Sequence, residues 1–241
     1  MDIEDRIIEL LYDEFEDANI KTLSTYKFKG KNVPRVTTIL SEMQSDQGLL
    51  RYANYLGFKH MDYKQTLDIA ASIGSETHSF IENYIQNKDN KVPVRQEVIN
   101  CTNAFINWWN EINKHYQIKV LGEEEPLSCP WFGGTYDLLL DINGKVTLID
   151  FKTSNHITFR YFIQLAAYKY LIQYNHNISI DVFIILRMDK ETASYEMVSA
   201  DLSIPEDNEF MQCCSYAFFS QVNNYYALSR VKNMYNKLNK S

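Results

Sequence analysis

The sequence predicts an α/β protein with a central mixed β-sheet that holds an antiparallel hairpin and a βαβ crossover and is flanked by helices. Three observations predict it. Asn143-Gly144 lies between two runs rich in Leu, Ile and Val, the strongest short-range hairpin signal, which calls for positive φ at both turn positions. Val182-Phe183-Ile184-Ile185-Leu186 is wholly apolar, as a strand buried on both faces is. Between them, residues 160–174 carry the helical period, so the second hairpin strand reaches the buried strand by a crossover.

In chain order, residues 3–15 read as an amphipathic helix and Tyr26–Thr38 as strand, turn and strand around Gly30-Lys31-Asn32. Helices follow near 47–57, 65–87 and 95–116, then the hairpin at 135–152 and the helix at 160–174. A last strand at 194–199 and a long helix after Pro205 complete the layers. Residues 1–241 fit one domain, with 1–64 an N-terminal elaboration and 205–241 a C-terminal helical segment. Trp108-Trp109, Tyr216, Phe218, Phe219, Tyr225 and Tyr226 read mainly as core.

Composition narrows the function classes. No apolar stretch approaches about 18 residues and Met1-Asp2-Ile3-Glu4 opens no signal peptide, so a cytoplasmic protein with no membrane partner is expected. Cysteines 101, 129, 213 and 214 lack Cys-x-x-Cys spacing, which argues against zinc and against an iron–sulfur cluster. Free thiols fit a reducing compartment. The formal charge of −7 is unusual for a nucleic-acid binder. Its distribution matters more, because acids concentrate at 2–17 and 123–125 while Arg230, Lys232, Lys237 and Lys240 stand in a tail without acids.

The hairpin register carries chemistry. If Ile142 and Lys145 flank the turn, Asp137 falls opposite Asp150, with Cβ atoms roughly 4.5–5.5 Å apart, a repulsive pairing unless something positive lies between. Lys152 projects on the side of Asp150, and Phe151 on the other. Asp141 shares the face of Asp137 but lies about 13 Å along the strand, too far for the same ion. Alone, such a pattern is more often a cross-strand ion pair of Asp137 with Lys152, with Asp150 in solvent. The other reading is phosphodiester hydrolysis. That reaction needs a hard cation to make a nucleophile from water and neutralise phosphorus oxygens, and an ammonium to orient the attack or stabilise the oxyanion.

Four motifs stand in order: Gly74-Ser75-Glu76-Thr77-His78-Ser79-Phe80-Ile81-Glu82, Gly133-Gly134-Thr135-Tyr136-Asp137, Asp150-Phe151-Lys152-Thr153 and Gln164-Leu165-Ala166-Ala167-Tyr168. Together they resemble the PD-(D/E)xK nuclease superfamily in its RecB-like branch, over roughly residues 70–190. Val33-Pro34-Arg35-Val36-Thr37-Thr38-Ile39-Leu40 resembles the opening segment of phage exonucleases and mitochondrial genome maintenance exonuclease-like members, with Arg35 in place of a serine.

The resemblance implies a restriction-endonuclease-like core. It implies that His78, Asp137, Asp150 and the backbone carbonyl of Phe151 hold Mg²⁺ or Mn²⁺, and that Lys152 positions or activates water beside Asp137 and Asp150. Glu124 takes the place of the family's glutamate near the metal. Gln164 and Tyr168 line the substrate groove, Glu82 supports the site, and Arg160 is added from its place on the same helix.

The residues can be weighed without the family. His78 and Glu82 are four apart on a predicted helix and share a face with Gly74. A lone helical histidine is usually a surface residue, and an imidazole suits Mn²⁺ better than Mg²⁺. Glu124 on a strand points away from Glu123 and Glu125, and the rival reading of that run is a solvated charge cluster. Arg160, Gln164 and Tyr168 recur at i, i+4 and i+8, a spacing that more often marks the wet face of a helix.

The expectation is therefore a Mg²⁺- or Mn²⁺-dependent DNase. It would be an exonuclease acting on DNA ends or single strands in phage DNA processing, recombination or repair, with recombination proteins of phage or host as further partners and the host cytoplasm as its place if phage-encoded. Alternatives are a structure-specific endonuclease, a non-catalytic DNA-binding subunit that keeps the fold, and a small-molecule hydrolase on the same scaffold.

Overall fold

The structure, a computed structural model, describes residues 26–43 and 46–238. The helix expected at 3–15, the acidic run at 2–17 and Lys240 lie outside the described residues. A short hairpin of β1 (Lys27–Phe28) and β2 (Lys31–Asn32) leads into α1 (Val36–Ser41). Strand, turn and strand through Thr38 was expected there, and the second strand stops at Asn32. Val36, Ile39 and Leu40 are buried at i, i+3 and i+4, so a helical period underlies a run whose β-branched composition reads as strand.

Helices α2 (Asp46–Phe58), α3 (Tyr63–Ile85) and α4 (Gln96–His115) follow. The Asp62 side chain caps α3 by accepting a 2.7 Å hydrogen bond from the Gln65 N–H. Then come β3 (Ile118–Ser128), β4 (Gly133–Ile142), β5 (Lys145–Lys152), α5 (Phe159–His176), β6 (Val182–Met188), β7 (Tyr195–Asp201) and α6 (Pro205–Leu238). Pro205 takes the first helical position, where a missing N–H costs nothing, with Glu206 and Asp207 on the positive end of the helix dipole.

The five longer strands form a mixed sheet in the order β3-β4-β5-β6-β7, parallel between β5 and β6 and antiparallel elsewhere. The α/β architecture, the hairpin and the βαβ crossover are those the sequence predicts. Ile142 pairs with Lys145, and Asn143 (φ 52) and Gly144 (φ 85) turn the chain.

Two apolar clusters cover the two faces of this sheet. Leu139, Leu148, Phe183 and Ile185 pack with α5 and α6, where Phe132 and Phe218 meet edge to face at 4.8 Å. Leu138, Leu140, Ile149, Phe151, Ile184 and Leu186 pack with Ile81 of α3 and Phe105 and Trp108 of α4. Phe218, Phe219 and Tyr226 are buried as expected, whereas Tyr216 is exposed. Strand β5 thus runs between two helical layers, and both reach its C-terminal end. Among the described residues no helix is long and apolar enough to cross a membrane.

Candidate functional site

At that end of the sheet the hairpin ladder changes character. Regular pairing runs from Ile142↔Lys145 to Leu138↔Ile149, and the next step would set Asp137 against Asp150. There the Asp137 carboxylate instead accepts a 2.6 Å hydrogen bond from the Phe151 N–H. A side chain takes over the ladder, which points one carboxylate oxygen into the strand and leaves the other to face α3.

From α3 comes His78, whose Nδ1 lies 3.6 Å from Asp137 Oδ1 and 3.2 Å from Glu124 Oε1. His78, Glu124 and Asp137 each offer a ligand atom, all within 4.8 Å of one another. Glu124 reaches this place because β3 is irregular. Its φ of 42 is strained for a side-chain-bearing residue, and regular pairs on either side, Glu123↔Leu138 and Glu125↔Tyr136, hold it there.

The kink also parts its neighbours, which strict alternation would place together. Glu125 accepts hydrogen bonds from Tyr136 Oη at 2.7 Å and shares a 3.0 Å contact with His176 Nε2. Glu123 sits by Gln86 and Glu82 on the α3 side. Glu82 thus borders Glu123, one helical turn beyond His78.

Asp150 and Lys152 face the other layer. The Asp150 side chain is 1 % exposed, and Lys152 Nζ approaches its Oδ2 at 2.5 Å. Lys152 thereby partners Oδ2, while Oδ1 of this buried carboxylate has no hydrogen-bond partner among the described residues. The short charge–charge distance dominates the interaction. Lys152 Nζ also lies 4.9 Å from the centroid of the Tyr161 ring.

The charges perturb one another. Burial raises the Asp150 pKa to about 6, with Asp137 adding to the rise and Lys152 opposing it. Burial raises Asp137 as well, against the pull of His78 and Lys152. For His78, burial disfavours the charged ring, yet Asp137 and Glu124 outweigh it and lift the pKa to about 9. Lys152 is raised likewise: burial opposes its charge, and Asp150 and Asp137 prevail. Buried carboxylates held above their usual range are sites short of positive charge.

Helix α5 contributes the far wall. Gln164 donates from Nε2 to Tyr168 Oη at 2.7 Å, and buried Tyr168 feels both Asp150 and Asp137. Gly134 makes room for it, since a Cβ there would stand 2.7 Å from Tyr168 Cε1. Arg160 does not face the site. Its guanidinium donates to the Leu40 carbonyl at 2.5 Å and ties α5 to α1.

The side chain at the start of the α5 stripe is therefore Tyr161. It stands at i−3 from Gln164 and i−7 from Tyr168, a spacing that the i−4 and i−8 of Arg160 match equally well in sequence. Asp141 is spent at the turn, where Oδ1 accepts from the Gly144 N–H at 2.7 Å.

No family model matches the chain, and no curated protein matches its sequence. Among solved structures it is similar to that of SSO0001, with a TM-score of 0.37 and 13% identity over 90% of this chain and 85% of that one. A phage-related exonuclease from Haemophilus somnus 129PT gives 0.34 and 12% over 65% and 81%. An alkaline exonuclease from Laribacter hongkongensis gives 0.32 and 13% over 70% and 88%. At these scores the likeness assigns no residue and no activity to this chain.

The donor set fits a hard divalent cation. Two carboxylates and an imidazole converge, and a third carboxylate, its Oδ2 against Lys152 and its Oδ1 without a hydrogen bond, is buried beside them. Oxygen-rich sites with one nitrogen suit Mg²⁺ and Mn²⁺.

Proposed function

We propose that this chain is a Mg²⁺- or Mn²⁺-dependent deoxyribonuclease, and more narrowly an exonuclease acting on DNA ends or single strands in DNA processing, recombination or repair. One observation carries the reading: a buried, lysine-paired Asp150 stands on the same strand end as Asp137, which itself meets His78 and Glu124. A structural ion pair would need neither the third carboxylate nor the histidine. Burying several ionisable groups together costs stability, which a structural role alone does not call for.

His78, Glu124, Asp137 and Asp150 would hold the cation, with the Phe151 carbonyl as a further oxygen. Once bound, it would supply a nucleophile from water at neutral pH and neutralise charge on the phosphorus oxygens. The chain's own residues do the rest. Lys152 presents an ammonium that orients the attacking water or meets the developing oxyanion. Asp150 keeps that ammonium charged, and the Phe151 N–H holds Asp137 in its rotamer. Gln164 and Tyr168, joined to each other, offer an amide and a phenol to the sugar–phosphate backbone. A cytoplasmic setting, in a phage-infected host if the gene is viral, suits such an enzyme.

The test is cleavage of linear and circular DNA of one sequence with Mn²⁺. Linear DNA is degraded, the circle survives, and Lys152→Ala abolishes the activity. Degradation of the circle sinks the exonuclease reading in favour of an endonuclease. Undiminished cleavage by Lys152→Ala removes the mechanism.

A further inference from the structure

We infer that Tyr161 is a positioning residue for Lys152, an inference that rests on the nuclease reading above. Among the described residues the Lys152 ammonium lies against the Asp150 carboxylate at 2.5 Å and the face of the Tyr161 ring at 4.9 Å from its centroid. The side chain is 17% exposed, so water contributes little to holding it. The two partners differ in what a cation does to them. Asp150 is a shared anion: a dication that draws on its oxygens weakens their hold on the ammonium and repels it.

The ring attracts the ammonium through its quadrupole, and its face offers a dication no oxygen, so this hold persists. Tyr161 is fixed from below by the first turn of α5, where its N–H donates to the Thr158 carbonyl at 3.1 Å. It shares a helix face with Gln164 and Tyr168. The ring therefore keeps the ammonium over the site when Asp150 turns to the metal.

Two readouts test this on the full chain, one of them independent of cleavage. In the wild-type protein the Lys152 ε-methylene protons, assigned with Lys152→Arg, are expected to resonate upfield because they adjoin an ammonium that lies over the Tyr161 ring. Tyr161→Phe keeps that shift and Tyr161→Leu removes it. In Mn²⁺-dependent DNA cleavage, Tyr161→Leu lowers kcat roughly tenfold with KM and Mn²⁺ affinity unchanged, and Tyr161→Phe recovers most of the loss.

A wild-type kcat in Tyr161→Leu overturns the inference. So does a Tyr161→Phe protein as impaired as Tyr161→Leu, which would assign the effect to the hydroxyl. A raised KM with unchanged kcat overturns it too, by placing the ring against DNA. Should Tyr161→Leu fail to fold, the wild-type spectrum decides, because unshielded ε protons exclude the contact. A protein without any DNA cleavage but with the upfield shift refutes the nuclease reading and leaves the contact standing.

Discussion

The two ends of the β4–β5 hairpin use the same residue type in opposite ways. At the turn, Asp141 is half-buried and its carboxylate accepts the Gly144 N–H, so its charge is solvated and its geometry local. At the far end, Asp150 is buried with Oδ2 against the Lys152 ammonium, Oδ1 without a hydrogen bond among the described residues, and a second carboxylate nearby. One end satisfies its carboxylate with a local backbone donor, and the other leaves a buried oxygen outside the rule that such groups find partners. Such exceptions, which Glu123 on neighbouring β3 shares at Oε2, mark where stability has been given up for a task.

Several substitutions would sharpen that contrast. The largest effect is expected in Mn²⁺-dependent cleavage, where Asp137→Asn or Asp150→Asn should lose at least about 10³-fold. Asp141→Ala should stay within about twofold, as a surface change outside the site does. Equal losses at all three positions would erase the distinction between the two ends.

Next comes pH. His78 must shed its proton to ligate, so Mn²⁺ affinity measured by calorimetry should rise between pH 7 and its pKa of about 9, approaching tenfold per pH unit. His78→Gln should flatten that slope.

Metal-free stability should move the other way. His78 has a folded pKa above its ordinary 6.5, so its contribution is full below 6.5 and is lost as pH rises through about 9. Asp150, raised from 3.8 to about 6, favours the folded state when protonated and loses that advantage as pH rises through this window. Thermal melts of chelated protein should therefore show both declines, and added Mn²⁺ should offset them. A flat profile from pH 4 to 9 would remove the strained charges from the account.

Smaller effects concern the glycines at each end. Gly134→Ala drives a Cβ to 2.7 Å from the buried Tyr168 ring and should cost about 1–3 kcal/mol in denaturant unfolding, with activity falling alongside. Gly144→Ala meets open space but keeps a φ of 85. It should cost about 1–2 kcal/mol with activity intact. The smallest change is Asp141→Ala on stability, about 1 kcal/mol for one lost hydrogen bond.

Local signals set how much could be read beforehand. The Asn143-Gly144 turn and the two-residue strand period gave the register, because both act over a few residues. They placed Asp137, Asp150 and Lys152 at one end and set Asp141 aside. Helix α1 was hidden because Val36, Thr37, Thr38 and Ile39 are β-branched, and only packing against α5 and α6 fixed their period. Arg160 and Tyr161 are adjacent in sequence and differ by about 100° around a helix. Which of them meets Lys152 depends on how α5 is rotated against the sheet, a choice made by the apolar residues of α1 and α6.

Sequence alone thus determined the order of helices and strands after α1, the hairpin and the three charged residues at its far end, since turn chemistry and alternation are properties of neighbours along the chain. Tertiary structure decided the rest. It kinked β3 at Glu124 to bring that carboxylate to His78, turned Arg160 to the Leu40 carbonyl and laid Tyr161 beneath Lys152. Those outcomes depend on the packing of segments far apart in sequence, whose relative rotation no local pattern encodes.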